Sequence, residues 1–528
     1  MVKIPLKKHC RPDILLIMKT QISKEFIIRI LILCYMVPLG IILVFNTLFS
    51  LFQTTYMELY LDTEKPLYKA DSPLLLLLMT ALFILLSVFI FKKAGADRKI
   101  STLLEKFSLI FSVVLCLLII FVYRVNVACD SQALSDIAVS FLKGDYSPLS
   151  SGDYLAHYPH QLSMIAFLQF VYYLFGTDNY TVLQFLNVIA VFSIVYFSHR
   201  ITEELFHQMQ VQILLSLLCI GMLPLYLYST FIYGDIPGMG FAFPAIYLII
   251  RYINTKKRGL ILPASLCMCF AVLFKSNNSV ILMAAVIILL LNSFKNKDWF
   301  SVVFAAVLLV LPSIGTSCVN SYYAKAAGIS EIPAGIPKIA WVAMGLQEND
   351  YIENGWYNSY NWRIYSDCNY DTAQTSKACL DSIKESVSSF LSAPRSGIRF
   401  FYRKFISQWN DPGFQAQITN EWYSRHRDDQ SDLALYLIYG NGRLILEWLM
   451  NIYHFLILLG ASVFAFTGLK KLSLSSAFLS LCVFGGYFFH MFWEAGGRYG
   501  LGYFILCVPM AACGLLKLVQ TARRFIHI

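Results

Sequence analysis

Three carboxylates in this chain stand where a charge is costly. Asp130 follows one apolar segment and Asp235 is wedged between two others. Glu494 follows a further one, in Trp493-Glu494-Ala495-Gly496-Gly497-Arg498-Tyr499. Carboxylates at the mouths of membrane helices mark the handling of a polar substrate. Asp130 opens an amphipathic stretch, residues 130–143, with Ala133, Leu134, Ile137, Ala138 and Phe141 on one face. It reads either as the cap of that helix or as a base for a hydroxyl group; Asp136 reads as facing water. Asp235, in Tyr233-Gly234-Asp235-Ile236-Pro237, is either an N-cap with proline in the first turn or a second polar contact to a substrate or ion. His157 and His160 flank Tyr158 and Pro159. They suit a phosphate, a hydroxyl or the headgroup level equally.

Cations complete the set. Lys275, in Phe274-Lys275-Ser276-Asn277-Asn278, lies between two apolar segments on the side where lysine is disfavoured. It either snorkels or holds an anion, for which a lipid phosphate at membrane depth is the natural choice. Arg498 follows Glu494 by four residues, so the two form an i,i+4 pair if the segment is helical; otherwise Arg498 is a second phosphate ligand. Arg403 and Lys404 are further candidates. A carboxylate beside a polar acceptor and cations beside a lipid phosphate would serve transfer from that phosphate. Glycoside hydrolysis instead needs two carboxylates flanking one bond.

These residues must be positioned by membrane helices. The 528 residues are 57% hydrophobic and 14% charged, against about 25% charged in soluble domains. The net charge of +10 belongs to basic segment ends, as the positive-inside rule expects, and not to nucleic acid. Apolar spans are expected near 27–53, 72–91, 105–124, 179–198, 211–230, 236–253, 259–275, 278–293, 300–316, 444–468, 474–490 and 501–518. The basic start (Lys3, Lys7, Lys8, Arg11) ahead of a long apolar run reads as a retained first helix with its N-terminus inside. Lys92 to Lys99, Lys256 to Arg258, Lys295 and Lys297, Lys470 and Lys471, and Arg523 and Arg524 then share the inner side. The threading requires the short apolar segment 160–176 to be re-entrant or interfacial. Asp130, Asp235 and Glu494 then share the outer side with the polar stretch 317–443, which is too long for an idle connector and is expected to cap the membrane part. Of the 13 cysteines, those in apolar segments read as small hydrophobes; Cys318, Cys368 and Cys379 leave room for one disulfide.

In order along the chain, "DSQALSDIAVSFLKGDYSP" from Asp130, "HYPHQLSMIAFLQFVYYLFG" at 157–176, "YGDIPG" at 233–238, "FKSNN" at 274–278 and "EAGGRYGLGYFILCVP" at 494–509 resemble elements of the GT-C glycosyltransferases. The likeness is to the branch of protein O-mannosyltransferases and aminoarabinose lipid A transferases. It implies an all-α polytopic fold of about 12–13 transmembrane helices with a mixed extracytoplasmic cap. Its parts would be an N-terminal tail and extra hairpin (1–104), a core (105–316) with a first outer loop (125–178), the cap (317–443) and C-terminal helices (444–528). It implies inverting transfer from a polyprenyl-phosphate sugar to a glycan, lipid or protein acceptor on the outer face. Asp130 would be the base, and Asp235 would orient donor or acceptor. Lys275 and Arg498 would hold the phosphate, with His157, Tyr158, His160, Arg403, Glu494 and Tyr499 binding substrate. Some related enzymes need a divalent metal and others do not. Ser131 stands where protein mannosyltransferases carry Glu, and the first two spans look additional; both features favour a bacterial plasma-membrane enzyme of the cell envelope. A lipid-linked sugar transporter and a non-catalytic polysaccharide assembly subunit are the alternatives.

Overall fold

In lipid, backbone polar groups must be satisfied within the segment, so long apolar runs fold as helices. The computed structural model describes residues 12–60, 63–95, 97–349, 351–425, 427, 429–468 and 473–525, with side chains from residue 24. Lys3, Lys7, Lys8, Arg11, Lys470 and Lys471 lie outside the described residues. Among the described residues, 10 helices are long and apolar enough to cross a membrane. Two further expected spans are irregular. The helices Met209–Ile220 and Leu223–Thr230 meet at a 46° bend, where Gly221 and Pro224 interrupt the hydrogen-bond ladder. The apolar helix Arg258–Phe274 is short. All twelve expected spans thus fall on apolar helices. Asp235–Thr255, Asn441–Gly468 and Gly497–Phe525 are largely surrounded by protein, whereas Pro73–Ala94 and Trp299–Ala327 turn most of their apolar side chains outward.

Segment 160–176 forms a 14-residue helix, Leu162–Phe175. At 1.5 Å per residue it reaches about 21 Å, short of the roughly 30 Å hydrocarbon core. Such a length is what a re-entrant or interfacial segment would have. Its far end exposes Phe170, Tyr173, Leu174 and Phe175, which suits the membrane boundary.

The basic turns gather at one end of the bundle. Lys24 Nζ donates to the Phe294 carbonyl at 3.1 Å, and Lys256 Nζ donates to Asn292 at 2.7 Å. Lys92 and Arg523 line a common recess. Asp235 starts a 21-residue helix that ends beside Lys256, so the acidic mouths lie about 30 Å away, at the opposite end.

Over that opposite end lies a cap of helices Ile339–Gly345, Tyr360–Asp367, Thr372–Ser392, Pro394–Trp409, Ala416–Ser424 and Asp432–Ile438. Ile336, Ala340, Ala343, Tyr365 and Cys379 form a small core of its own. Cys318 sits within the helix Trp299–Ala327, and no disulfide links the described cysteines. The cap has a second contributor. Between the first two spans the chain folds into an antiparallel hairpin, β1 (Gln53–Tyr60) and β2 (Thr63–Ala70). The hairpin is pinned to the cap. Thr55 N–H donates to the Asn410 carbonyl at 3.0 Å, Asn410 Nδ2 donates to the Gln53 carbonyl at 2.6 Å, and Tyr68 donates to Glu353 at 2.7 Å.

Candidate active site

Two of the sequence motifs are built to dock on each other. A Cβ on Gly234 would lie 1.8 Å from the Phe274 carbonyl oxygen, and one on Gly238 would lie 2.8 Å from Asn278 Nδ2. Only glycine permits this approach, and it brings Asp235 against Lys275, Nζ to Oδ2 at 2.9 Å. Asp235 lies in the first helical turn and makes no side-chain cap bond, so it is an ion-pair partner and not an N-cap. Both side chains are mostly buried. Removing one partner of such a pair strands the other charge, at a cost of about 3–5 kcal/mol. Asp235→Asn is accordingly expected to lower the thermal midpoint in detergent markedly, while Asp136→Asn, on the exposed side of its helix, leaves it unchanged.

Lys275 opens onto a cavity of about 480 Å³ enclosed between cap and bundle. Asp130, Tyr158, His160, Glu494, Arg498 and Tyr499 line the same cavity. Asp130 sits in the first turn of the helix Cys129–Leu142, whose N-cap is Ala128; the carboxylate is therefore not a cap and is exposed to the cavity. Cys129, immediately before it, has a φ of 52°, a left-handed conformation that non-glycine residues adopt at a cost. Tyr154 bonds the Asp130 carboxylate, and burial with that charge raises the Tyr154 phenol, keeping it a donor. Ser131 accepts a bond from Tyr423 of the cap.

Arg498 lies in the first turn of Gly497–Phe525. The expected i,i+4 pair with Glu494 is absent, because the helix begins only at Gly497; Tyr499 reaches Glu494 instead, at 3.4 Å. The guanidinium rests among aromatic faces, 5.5 Å from the Tyr233 ring centre and 5.2 Å from that of Tyr499. Lys275 shares those rings, at 4.6 and 5.4 Å. Two cations thus flank Tyr233 and Tyr499, and the carboxylate of Asp130 opens onto the same space. His160 is held down to about 4 by burial and by the Lys275 and Lys338 charges, so its imidazole is neutral and suits a hydroxyl, not a phosphate.

Three expected ligands lie elsewhere. His157 is buried in an aromatic nest, stacked on Trp362 at 6.2 Å with Tyr365 and Tyr370 edge-on, and its Nδ1 pairs with the Asp153 carbonyl at 2.6 Å. It braces the first outer loop against the cap. Arg403 pairs with Glu353 at 2.8 Å outside the cavity. Lys404 is buried and donates to the Gly345 and Trp493 carbonyls. Conversely, the sequence reading missed Glu64, Gln415 and Asp411. Glu64, on β2, lines the cavity and accepts from Gln415 Nε2. Gln415 Oε1 in turn accepts the Arg498 backbone N–H at 2.8 Å. Phe414 and Gln415 both take positive φ, 48° and 65°, and Asp411 holds that turn by accepting the N–H groups of Gly413 and Gln415 at 2.9 and 2.7 Å. The signal in the sequence was the turn string Asp411-Pro412-Gly413.

Residues 160–315 match the family model for dolichyl-phosphate-mannose-protein mannosyltransferase. That stretch, less than half of the chain, is similar to this family of membrane glycosyltransferases. The matched stretch holds His160, Asp235 and Lys275, while Asp130, Glu494 and Arg498 reach the same cavity from outside that stretch. A comparison with curated proteins found no match. Enzymes of the GT-C kind use lipid-linked sugar donors. Among the described residues no group of three or more His, Cys, Asp or Glu side chains is placed to hold a metal ion.

Glu494 gives the cavity a titratable neighbour for its cations. Burial pushes its carboxyl up to about 7, with Arg498 pulling the other way. Below that pH it is neutral and leaves the Arg498 charge to an anion; above it, the carboxylate competes. An anion of constant charge in this range, such as a phosphodiester, should bind more tightly as pH falls through about 7. Glu494→Gln should flatten that profile. Titration calorimetry at stepped pH checks both.

Proposed function

We propose that this chain is an inverting glycosyltransferase that takes a sugar from a polyprenyl-phosphate donor and passes it to a cell-envelope acceptor (a wall polymer, lipid or surface glycan) on the extracytoplasmic face of a bacterial plasma membrane. The observation that carries this reading is one cavity with Asp130 opening onto it beside Lys275 and Arg498. Asp130 accepts the proton of the acceptor hydroxyl as that oxygen bonds to the anomeric carbon. The bond from that carbon to the phosphate oxygen breaks on the opposite face, which inverts the centre. The departing polyprenyl phosphate gains negative charge, and Arg498 and Lys275 stabilise it without a general acid. Asp235 fixes the Lys275 ammonium by ion pairing. Tyr158, Tyr499 and neutral His160 supply hydrogen bonds and ring faces to the sugars. The acidic mouths lie opposite the basic turns, which supports an extracytoplasmic site.

The test is turnover by the purified full-length protein with defined polyprenyl-phosphate sugars and an extract of envelope glycans, scored by release of polyprenyl phosphate and by the anomeric configuration of the product. Transfer with inversion is expected. Retention of configuration, or turnover with nucleotide sugars alone, would overturn the reading.

A further inference from the structure

The β1–β2 hairpin precedes the part of the chain that matches the mannosyltransferase family, yet it forms a wall of the cavity through Thr63 and Glu64. Nothing in the transfer step described above uses Glu64. Its placement is nonetheless firmly built. One carboxylate oxygen accepts from Gln415, the same amide whose oxygen takes the Arg498 backbone N–H. The hairpin behind it is held by Arg443, which donates to the Met57 carbonyl at 3.1 Å, and by a core of Met57, Trp356, Ile418 and Ala495.

Burial raises the Glu64 carboxyl while the Arg498 charge pulls the other way, and a carboxylate in this position works against a phosphate. Its favourable ligands are neutral hydroxyl groups, to which a carboxylate can accept two bonds side by side. The cap supplies the matching apolar surface: Trp341, Tyr357 and Trp422 line the same cavity, none of them fully buried. Ring faces beside a hydroxyl-binding carboxylate are the two halves of a saccharide subsite, one for C–H faces and one for hydroxyl edges.

We propose that the hairpin makes Glu64 a saccharide-binding residue, whose carboxylate takes hydroxyl groups of a neutral sugar lying against the cap aromatics while Arg498 and Lys275 keep the phosphate. This rests on the glycosyltransferase reading of the cavity. The sugar is that of the donor or that of the acceptor, and the kinetics tell them apart.

The experiment compares full-length wild type with Glu64→Gln and Glu64→Asp. The first arm measures KM and kcat for a short-chain polyprenyl-phosphate mannose and, separately, for the glycan acceptor. Glu64→Gln should raise one of the two KM values tenfold or more with kcat within about threefold of wild type, and the partner affected identifies the sugar that Glu64 holds. Both KM values unchanged, or a fall in kcat alone, would overturn the proposal. The second arm needs no turnover: tryptophan fluorescence is titrated with neutral methyl hexosides and with mannobiose. A saturable change in wild type that weakens at least fivefold in Glu64→Gln supports the subsite even if no polyprenyl-phosphate donor is used. Identical titrations, or none in wild type, count against it.

Discussion

Asp130→Asn is expected to lower sugar transfer by roughly 10²–10⁴-fold, the range lost when a positioned general base is removed. The substitution is isosteric, and Asp130 is not the helix cap and makes no ion pair among the described residues, so folding and donor binding should survive. The readout is therefore single-turnover release of polyprenyl phosphate beside equilibrium binding of the same donor. Loss of the first with retention of the second is expected. A variant that transfers at the wild-type rate would remove Asp130 as the base, and with it the main distinction between an enzyme and a transporter of lipid-linked sugars. Tyr154 refines the expectation. It donates to the Asp130 carboxylate, so Tyr154→Phe should lower the transfer rate without eliminating activity.

The second large effect belongs to Arg498. Its guanidinium stands among the rings of Phe231, Tyr233 and Tyr499 and makes no ion pair among the described residues, whereas Lys275 is already committed to Asp235. Charge builds on the phosphate as the anomeric bond breaks, so the less encumbered cation should carry more of the stabilisation. Arg498→Met is expected to lower kcat by about 10²–10³-fold, as for loss of one oxyanion-stabilising donor. Arg498→Lys should recover part of it, because it keeps the charge but loses the planar fork. The measurement is kcat and donor KM for the three proteins. An effect on donor KM alone would mean uniform binding of the phosphate and no role in its departure.

Much of the architecture was readable because membrane burial writes strong patterns. Helices such as Pro73–Ala94 and Arg98–Tyr123 are apolar all round, and charges at their ends stand out. Asp130, Lys275, Glu494 and Arg498 were found for that reason, and the Gly234–Asp235 and Phe274–Lys275 motifs turn out to interlock through a glycine contact. What stayed hidden has physical causes too. The hairpin spans two 8-residue strands between apolar helices, without the alternation that a half-buried strand shows, so Glu64 had no signal. Gln415 acts through a turn whose two left-handed residues are not glycines. His157 and Arg403 misled in the opposite direction: an aromatic-rich cap offers polar residues plenty of structural partners, and a sequence cannot distinguish a nest such as that around His157 from a ligand site. The Glu494–Arg498 spacing fitted a helix that begins three residues too late.

The fastening of the cap bears on how substrates come and go. Buried Lys404 ties the cap to carbonyls on either side, at Gly345 and Trp493, and a backbone bridge joins Trp356 to Ala495, with the Ala495 N–H on the Gly355 carbonyl at 2.8 Å. Swinging the cap clear would strand a buried ammonium and break that bridge. Those ties fasten the cap to the mouth of the last two long helices, so lifting it would require both to be broken together.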